Sequence, residues 1–471
     1  MNFVRDVVDA ADPGRRALVS VAADGERREI AFAEISERSA RLAGALVERG
    51  VGTGDVVMTM LGNSPDWVYA MLACFRIGAV SQPCVEQLRS VDLRKRMDAV
   101  EPRAVVTHER GRELFEAAGF SGTLLVLPDE RLLESPAAPV AELDRDDPAL
   151  IVFTSGTAGE PKPIRHGHGY LDGQRVQAEH WFGARKGDLC WCTAASGWSK
   201  SARNAFVAPW LRGAAALLED ARFDPERRLE TIERESVAVL CMAPTEYRTI
   251  AKRARLRPLR GLRHVVAAGE PLNPEVVHAW REGTGLEVHD GYGQTETGAL
   301  TGMPLGPPVR PGSMGKPLPG FRVFLDDGEL CVDPKTVPTF FLDGPPDLWR
   351  TGDRARQDGD GYLWFEGRTD DVIISAGYRI GPFEVESALV SHPAVAEAAA
   401  VGAPDEERGQ VVRAVVVLRD DYEPADELKR ELQEHVQTET APYKYPRIVD
   451  FADALPKTPS GKIKRAELRD G

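Results

Sequence analysis

Helical and extended sequence patterns alternate through the larger part of the chain, and this alternation restricts the fold more than any other feature. The apolar spacing of segments 32–50 and 64–79 is that of helices. Short apolar runs of the kind found in strands occupy 54–61, 103–108 and 286–293. Strands separated by helices predict an α/β fold with largely parallel sheets, arranged here as two α/β sheet subdomains.

The composition and the apolar pattern of the sequence change at two points further along the chain. From 302 to 347 Pro and Gly become dense and the apolar runs shorten, which predicts a small β-rich subdomain over 302–369. Near 367 a new pattern of strands and helices begins. We therefore predict an N-terminal domain over 1–369 and a small, mobile α+β lid domain over 370–471, with Asp370 as the hinge between them.

Charge and cysteine content narrow the class of protein. The 471 residues carry a formal net charge of −14, which argues against a partner as polyanionic as nucleic acid or a membrane surface. We find no signal peptide and no apolar run of the roughly 18 residues that a membrane span needs. The 6 cysteines are scattered, which favours reduced thiols in the cytoplasm over a disulfide framework.

The stretch TSGTAGEPKP, residues 154–163, follows a buried apolar run and has the composition of a phosphate-binding loop. Its spacing fits neither the Walker A pattern nor the dinucleotide fingerprint. What remains is a Gly/Ser/Thr loop whose backbone N–H groups and hydroxyls can surround phosphates, with Lys162 as a point charge. An ordinary surface loop is the alternative reading of this stretch alone.

Further stretches supply the other groups that a nucleotide needs. The segment 290–298, DGYGQTETG, offers an aromatic face at Tyr292 and a carboxylate at Glu296 that suits Mg²⁺. We predict that Asp353 lies in a tight turn, where its carboxylate can hold a ribose diol, and Arg368 adds a cation. Lys462, near the end of the chain, follows Ser-Gly in PKTPSGKIKR.

These motifs, in this order, resemble those of the AMP-forming acyl- and aryl-CoA synthetases, a superfamily shared with luciferases and nonribosomal adenylation domains. The resemblance runs from about residue 30 to the end. The segments 197–214, 375–382 and 440–447 are most similar to the medium-chain branch. The resemblance to this superfamily implies a reaction in two steps. A carboxylate first attacks the α-phosphate of ATP to form an acyl-adenylate and pyrophosphate. The lid domain then rotates, and a thiol takes the acyl group from the adenylate.

The resemblance also implies a role for each matched residue. The catalytic set would be Lys462, Thr295 and Glu296, with Glu296 as the Mg²⁺ ligand. The ATP-binding set would be Thr154, Ser155, Gly156, Thr157, Ala158, Gly159, Lys162, Asp290, Tyr292, Gly293, Gln294, Asp353 and Arg368. Ala158 departs from the Thr or Ser usual in relatives, so one hydroxyl is missing from the phosphate loop.

Coenzyme A and the acyl group are assigned in the same way. The CoA-binding set would be Ala376, Gly377, Tyr378, Arg379, Arg408 and, more weakly, Arg96. The acyl pocket would be lined by Trp198, Lys200, Arg203, Gly269 and Gly293. Acetate-specific relatives carry tryptophan where this chain has Gly293, so the resemblance implies an acid larger than acetate.

Arg203 departs from the apolar or aromatic residue of relatives, and two placements follow. It either faces solvent or an ion-pair partner, which we expect, or it faces the substrate and calls for a polar or second acidic group there. The segment RHGHG, 165–169, lacks the further ligands of a metal site. Segment 325–347 is shorter than in many relatives, and we expect the loss to affect the β-rich subdomain rather than the site.

The sequence thus predicts an ATP- and Mg²⁺-dependent carboxylic acid:CoA ligase acting on a medium-chain or larger acid, as a monomer or homodimer. Two alternatives stay open: an enzyme that loads a carrier-protein phosphopantetheine, and an inactive adenylate-binding protein.

Overall fold

A computed structural model describes residues 1–154, 162–344, 346–457 and 463–469. Ser155, Gly156, Thr157, Ala158, Gly159 and Lys462 therefore lie outside the described residues. The fold is mixed α/β, with a large N-terminal part containing three sheets and a smaller C-terminal domain with a sheet of its own. The predicted fold class is confirmed.

Two largely parallel sheets form the bulk of the N-terminal part. The first contains, in spatial order, the strands Lys316–Pro317, Gly298–Gly302, Val288–Gln294, His264–Ala268, Val239–Met242, Leu189–Cys192, Ala215–Glu219, Arg16–Val21 and Arg27–Ala31. The second contains Thr123–Leu127, Ala104–His108, Val56–Met60, Val80–Pro83, Pro148–Thr154 and Lys162–Gly167. Both sheets change to antiparallel pairing at the edge nearest the candidate motifs.

A third, antiparallel sheet contains Val323–Asp326, Glu329–Val332, Trp349–Gln357 and Leu363–Arg368. The sheet of the C-terminal domain contains Tyr378–Ile380, Ile373–Ser375, Gly409–Leu418 and Val395–Asp405, with Ile448–Phe451 paired to Gly409–Leu418. The change of sheet falls between Arg368 and Ile373, which is the interval that contains the predicted hinge.

Helices cover the sheets where their apolar spacing predicts. In the N-terminal part the α-helices are Phe32–Glu48, Pro65–Ile77, Ser90–Val100, Glu109–Ala117, His168–Gln177, Ser199–Ala202, Ala208–Leu211, Pro225–Glu235, Pro244–Arg253 and Pro274–Thr284. In the C-terminal domain they are Pro382–Ser391, Asp426–Glu439 and Arg465–Arg469. Shorter turns of π or 3-10 type are Val4–Val8, Glu130–Glu134, Ala178–Phe182, Arg203–Val207, Pro334–Thr336 and Pro442–Lys444.

The helix Pro65–Ile77 shows how local sequence positions a core element. Ser64 accepts a hydrogen bond from the backbone of Trp67, and Gly78 closes the other end at φ +74°. Every residue from Trp67 to Ile77 is buried, so the helix is packed on all sides rather than on one face. The helix therefore packs as a rigid element against the second sheet.

Lys252 joins the large part of the chain to the C-terminal domain. Its Nζ donates to the carbonyl oxygen of Ala396 at 2.9 Å and approaches that of Val395 at 3.5 Å. Burial lowers the pKa of Lys252 to about 8, and the nearby charges of Arg419 and Arg248 act in the same direction. This ammonium therefore gives up hydration to reach backbone carbonyls of the other domain.

No helix in the described ranges is long and apolar enough to cross a membrane.

Candidate functional site

The antiparallel hairpin of Val288–Gln294 and Gly298–Gly302 carries the segment DGYGQTETG, and two polar clusters contact it. Thr295, Glu296 and Thr297 form the turn between the strands. The pairing is irregular between Tyr292 and Gly293, as expected for strands that must pass close together. The predicted residues in this segment are thus held by backbone pairing on both sides of the turn.

Asp353 is the centre of the first polar cluster. Its Oδ2 accepts a hydrogen bond from the Tyr292 hydroxyl at 2.5 Å and another from Gln294 Nε2 at 3.0 Å. Its Oδ1 pairs with Arg368 Nη1 at 3.2 Å. Only 9% of the Asp353 side chain is exposed. The structure brings together four residues that the sequence assigned to ATP from separate motifs.

Thr351 and Trp349 complete this cluster, and the sequence reasoning missed both. The carbonyl oxygen of Thr351 accepts from Gln294 Nε2 at 2.8 Å and from Arg368 Nη1 at 3.0 Å. Trp349 Nε1 donates to Gln294 Oε1 at 3.0 Å. Both residues belong to the segment LWRTGDRA that contains Asp353, so their nearness in sequence was the available signal.

The cluster leaves little capacity for a further donor. A carboxylate offers about four acceptor positions, and three of those of Asp353 are taken by protein groups. Burial, with the charge of Asp353 acting in the same direction, raises the pKa of Tyr292 well above its usual range, so its hydroxyl keeps the proton that it donates. One acceptor position on Oδ1 is left for a ligand hydroxyl.

Asp290 lies in the same strand but in a different environment. It is buried, and its Oδ1 accepts from the backbone N–H of Gly291 at 2.9 Å. Burial raises the pKa of Asp290 well above its usual range, against these backbone contacts. Burial thus favours the protonated carboxyl, which can donate as well as accept.

Gly293 lies where the two paired strands approach closely. A Cβ at this position would lie 1.9 Å from the carbonyl oxygen of Gly298 and 2.8 Å from the Cα of Ala299. The glycine is therefore required by the close approach of the paired strands. A tryptophan here would require the hairpin to shift, and the link between this glycine and an acid larger than acetate stays a prediction.

Glu296 presents the donor expected of a Mg²⁺ ligand. It is half-buried in the turn, and its backbone carbonyl accepts from Phe341 N at 2.9 Å. Its carboxylate makes no hydrogen bond or ion pair with any residue that the structure describes. A free carboxylate beside a phosphate site fits Mg²⁺, which keeps several waters and takes one or two carboxylates together with phosphate oxygens. In the described ranges no group of three or more His, Cys, Asp or Glu side chains could hold a metal ion alone.

Thr154 and Lys162 are cross-strand partners at the neck of the candidate phosphate loop. Thr154 is half-buried at the end of its strand, while Lys162 is exposed at the start of the next. Arg96 lies over the ring of Phe153, with its guanidinium carbon 5.3 Å from the ring centroid. This places Arg96 beside the strand that leads into the loop, on a different element from the other CoA candidates.

The remaining CoA candidates come together in the C-terminal domain. The backbone N–H of Ala376 donates to the carbonyl oxygen of Arg408 at 3.0 Å, so two turns are adjacent. Gly377 has φ +83° and open space around its Cα. Tyr378 is exposed and stacks on Tyr443 with ring centroids 4.3 Å apart. Arg379 pairs with Asp327 at 3.7 Å. The hinge candidate, Asp370, lies 3.5 Å from Arg368 Nε.

Three of the acyl-pocket candidates, Trp198, Lys200 and Arg203, lie in the segment that follows the strand Leu189–Cys192. Lys200 Nζ donates to the carbonyl oxygen of Ala268 at 2.9 Å and lies 3.1 Å from the position of a Cβ at Gly269. Trp198 packs against a cluster that contains Met58 and Val85. Lys200 is thus in direct contact with the C-terminal end of the strand His264–Ala268 and with Gly269.

Arg203 is the centre of the second polar cluster. It is 5% exposed, and its Nε and Nη1 are buried with no hydrogen-bond partner among the described residues. The expectation of a solvent-facing or ion-paired arginine is wrong. The phenol of Tyr170 lies beside it: burial raises the pKa of Tyr170, and the charge of Arg203 opposes that shift. No contiguous sequence pattern could have shown this, because the neighbours come from distant segments.

His166 belongs to the same cluster. It is 1% exposed, and its ring lies 4.2 Å from that of Tyr170. Burial, together with the charge of Arg203, lowers the pKa of His166 to about 3, although the backbones of Thr295 and Thr339 favour the charged form. Neither ring nitrogen has a well-formed hydrogen bond with the described residues. His166 is therefore a neutral ring behind the turn.

The shortened segment 325–347 reaches the site, contrary to expectation. Thr339 Oγ1 donates to the carbonyl oxygen of Thr297 at 2.5 Å. Phe341 N donates to Glu296, and Leu342 N donates to Arg165, both at 2.9 Å. These residues fasten the turn from behind. The segment in which length is lost thus contacts the turn as well as the β-rich sheet.

Comparison with known proteins supports one family. The AMP-binding enzyme family model matches residues 6–338, and the AMP-binding enzyme C-terminal domain model matches 384–462. The mitochondrial acyl-coenzyme A synthetase ACSM3 of Mus musculus is 38% identical over 99% of this chain and 90% of its own. The anthranilate CoA ligase AuaEII, solved with anthranoyl-AMP, has a TM-score of 0.90 at 27% identity and covers 100% of this chain and 97% of its own. ATP-bound MatB from Rhodopseudomonas palustris has a TM-score of 0.87 at 26% identity, covering 100% of this chain and 99% of its own.

Proposed function

This chain belongs to the AMP-binding enzyme family and within it to the AMP-forming acyl-CoA synthetases, and from that premise we propose that it joins a medium-chain or larger carboxylic acid to coenzyme A at the expense of ATP. The observation that carries the proposal is the cluster around Asp353, which gathers Tyr292 and Gln294 from one strand and Arg368 from another. ATP and coenzyme A are the two co-substrates.

The adenylation step follows from this geometry. A carboxylate oxygen of the acid bonds to the α-phosphorus, and the bond from that phosphorus to the leaving pyrophosphate breaks. In-line transfer of this kind needs positioning and charge neutralisation rather than proton removal. We assign the ribose to Asp353 and Arg368, the adenine to Tyr292 and Asp290, and the reacting groups to Thr295.

We assign the phosphates of ATP to the loop that begins at Thr154 and ends at Lys162. Its intervening hydroxyls and backbone N–H groups, with the Lys162 ammonium, hold the part of ATP that leaves as pyrophosphate. Glu296 would hold Mg²⁺, which when bound neutralises phosphate charge. Lys462 would bridge the carboxylate and the α-phosphate.

Thioester formation uses the C-terminal domain. The adjacent turns at Ala376–Gly377 and Arg408 form the surface that we assign to pantetheine, with Tyr378 and Arg379 beside them. We place the domain boundary and hinge at Asp370, between the last strand of the third sheet and the first of the next. The relatives are named for CoA chemistry, so loading of a carrier protein is not favoured. We place the enzyme in the cytoplasm, since all six cysteines are buried free thiols.

The test is a pyrophosphate-release assay on a panel of carboxylic acids, run with and without CoA. We expect pyrophosphate from at least one acid and acyl-CoA only when CoA is added. The Lys462→Ala variant serves as the control for chemistry, because it should lose adenylation while still passing acyl groups from supplied acyl-adenylate to CoA. Absence of pyrophosphate with every acid would overturn the proposed function.

A further inference from the structure

Arg203 is a buried cation without a counter-ion. In the part of the chain that the structure describes it forms no ion pair, and its Nε and Nη1 lack hydrogen-bond partners. Leaving a charged group buried and unpaired costs several kcal/mol, as an order of magnitude. Arg76 shows the usual solution in this fold, because it is 6% exposed and its Nη2 pairs with Asp9 at 2.9 Å.

The groups around Arg203 do not neutralise it. His166 is a neutral ring, and Tyr170 offers only a phenol. Its chain neighbours Asn204 and Ser201 add further polar atoms without partners, Nδ2 and Oγ. Lys200, three residues earlier in the chain, donates to the carbonyl oxygen of Ala268 rather than to a carboxylate. The cluster therefore has excess positive charge and unused donors.

The position of Arg203 connects this charge to the reaction. Its Nη1 lies 3.6 Å from where a Cβ at Gly298 would stand, directly after the turn Thr295–Thr297. Gly298 has φ +70°, a conformation that favours glycine, and the Thr339 hydroxyl lies 2.8 Å from the same Cβ position. Arg203 is three residues from Lys200, whose Nζ lies against Gly269. The cation thus lies against the hairpin that carries the reacting turn, three residues along the chain from a residue assigned to the acyl pocket.

We propose that Arg203 binds a second anionic group at the far end of the acyl substrate, so that the preferred acid is dicarboxylic. The inference rests on the proposed function and specifies its substrate class. One carboxylate of the acid is activated at the turn, while the other forms a charge-assisted hydrogen bond with the buried guanidinium. An acid of equal length with a methyl end leaves that guanidinium unpaired and is disfavoured.

The experiment compares α,ω-dicarboxylic acids with monocarboxylic acids of equal length, in pyrophosphate release at saturating ATP. For the wild-type enzyme we expect kcat/KM to favour the diacid by roughly 10- to 100-fold at the best length, the range that a hydrogen bond to a charged group provides. Arg203→Met should remove the preference or reverse it, and Arg203→Lys should restore part of it. Arg212→Met, at an exposed arginine paired with Glu179, is the matched control and should leave the ratio unchanged.

A second measurement covers a variant that fails to fold. Thermal shift of the wild-type enzyme with each acid of a pair, in the presence of ATP, should show greater protection by the diacid. A wild-type preference for monoacids, or a ratio unaltered by Arg203→Met, would overturn the assignment of Arg203 and leave the ligase function standing. Failure to release pyrophosphate with any acid would instead remove the proposed function, and this inference with it.

Discussion

The two polar clusters that contact the 288–302 hairpin differ in how completely their charges are paired. Around Asp353, the carboxylate accepts three hydrogen bonds from protein donors and faces the cation of Arg368. Around Arg203, the guanidinium has two nitrogen atoms without partners and the adjacent histidine is neutral. A site that must bind the same nucleotide in every turnover can be pre-formed by the protein. A site that contains a charged group without a partner depends on its ligand to supply the opposite charge.

Removal of Asp353 should have the largest effect. Asp353→Ala removes the shorter carboxylate contact of Arg368 and the contact that we propose for the ribose, so adenylation kcat/KM should fall by about 100-fold or more. Loss of a mostly buried ion-pair partner should lower the free energy of unfolding by about 2 to 4 kcal/mol. Pyrophosphate exchange and urea titration measure the two effects. Asp326→Ala, at the exposed pair with Arg350, is the control, and equal losses in both variants would contradict the comparison.

Removal of Arg203 should change stability in the opposite direction. Replacing an unpaired buried charge with an apolar side chain of similar length should raise the free energy of unfolding of the ligand-free enzyme by about 1 to 3 kcal/mol. Arg76→Met should lower it, since Asp9 loses its partner. Denaturant midpoints of the two variants provide the test. Destabilisation of both variants to the same extent would mean that Arg203 is paired in solution.

The neutral His166 predicts a pH dependence. Its pKa is about 3 in the folded protein and about 6.5 when ordinarily solvated, so the unfolded chain takes up the proton first. The stability contribution is present above pH 6.5 and is lost as pH falls from 6.5 towards 3. His166→Gln should reduce the slope of unfolding free energy against pH by up to about 1.4 kcal/mol per pH unit between pH 6 and 5. The exposed His180→Gln is the control; an unaltered slope in H166Q would argue against a buried neutral ring.

The smallest expected effect concerns the support of the turn. Thr339→Val removes the hydrogen bond to the carbonyl oxygen of Thr297 and should cost about 1 kcal/mol of unfolding free energy. It should also raise the KM for the acid modestly, because this contact fastens the turn that lies beside Arg203. Thr438→Val, on an exposed helix face, should affect neither quantity. An unchanged KM in T339V would separate the shortened segment from the acyl site.

The alternation of helices and strands could be predicted because it depends on local spacing. The helices predicted over 32–50 and 64–79 are Phe32–Glu48 and Pro65–Ile77 in the structure. The residues proposed to bind the nucleotide could be nominated for a related reason, since each lies in a short motif whose composition limits its chemistry. Their convergence on Asp353 needed the fold.

What the sequence could not provide depends on contacts between distant segments. Gly293 looked like a pocket residue, yet its Cβ direction is fixed by the pairing of two strands. Arg203 looked solvent-facing because arginines seldom stay buried without a partner. The segment 339–342 looked peripheral, since nothing in its composition indicates that its backbone N–H groups and the Thr339 hydroxyl bind the turn and its neighbouring strand.

The contact of Lys252 with the C-terminal domain has a consequence for movement of that domain. In this arrangement the Lys252 ammonium contacts two carbonyl oxygens in place of water. Its pKa is lowered because these contacts do not replace all of the hydration lost on burial. Swinging the domain away would let water return to the lysine, so the rehydration offsets part of the cost of separation. A contact made by a poorly hydrated cation is therefore weak, and a weak contact of this kind suits the domain rotation that we propose.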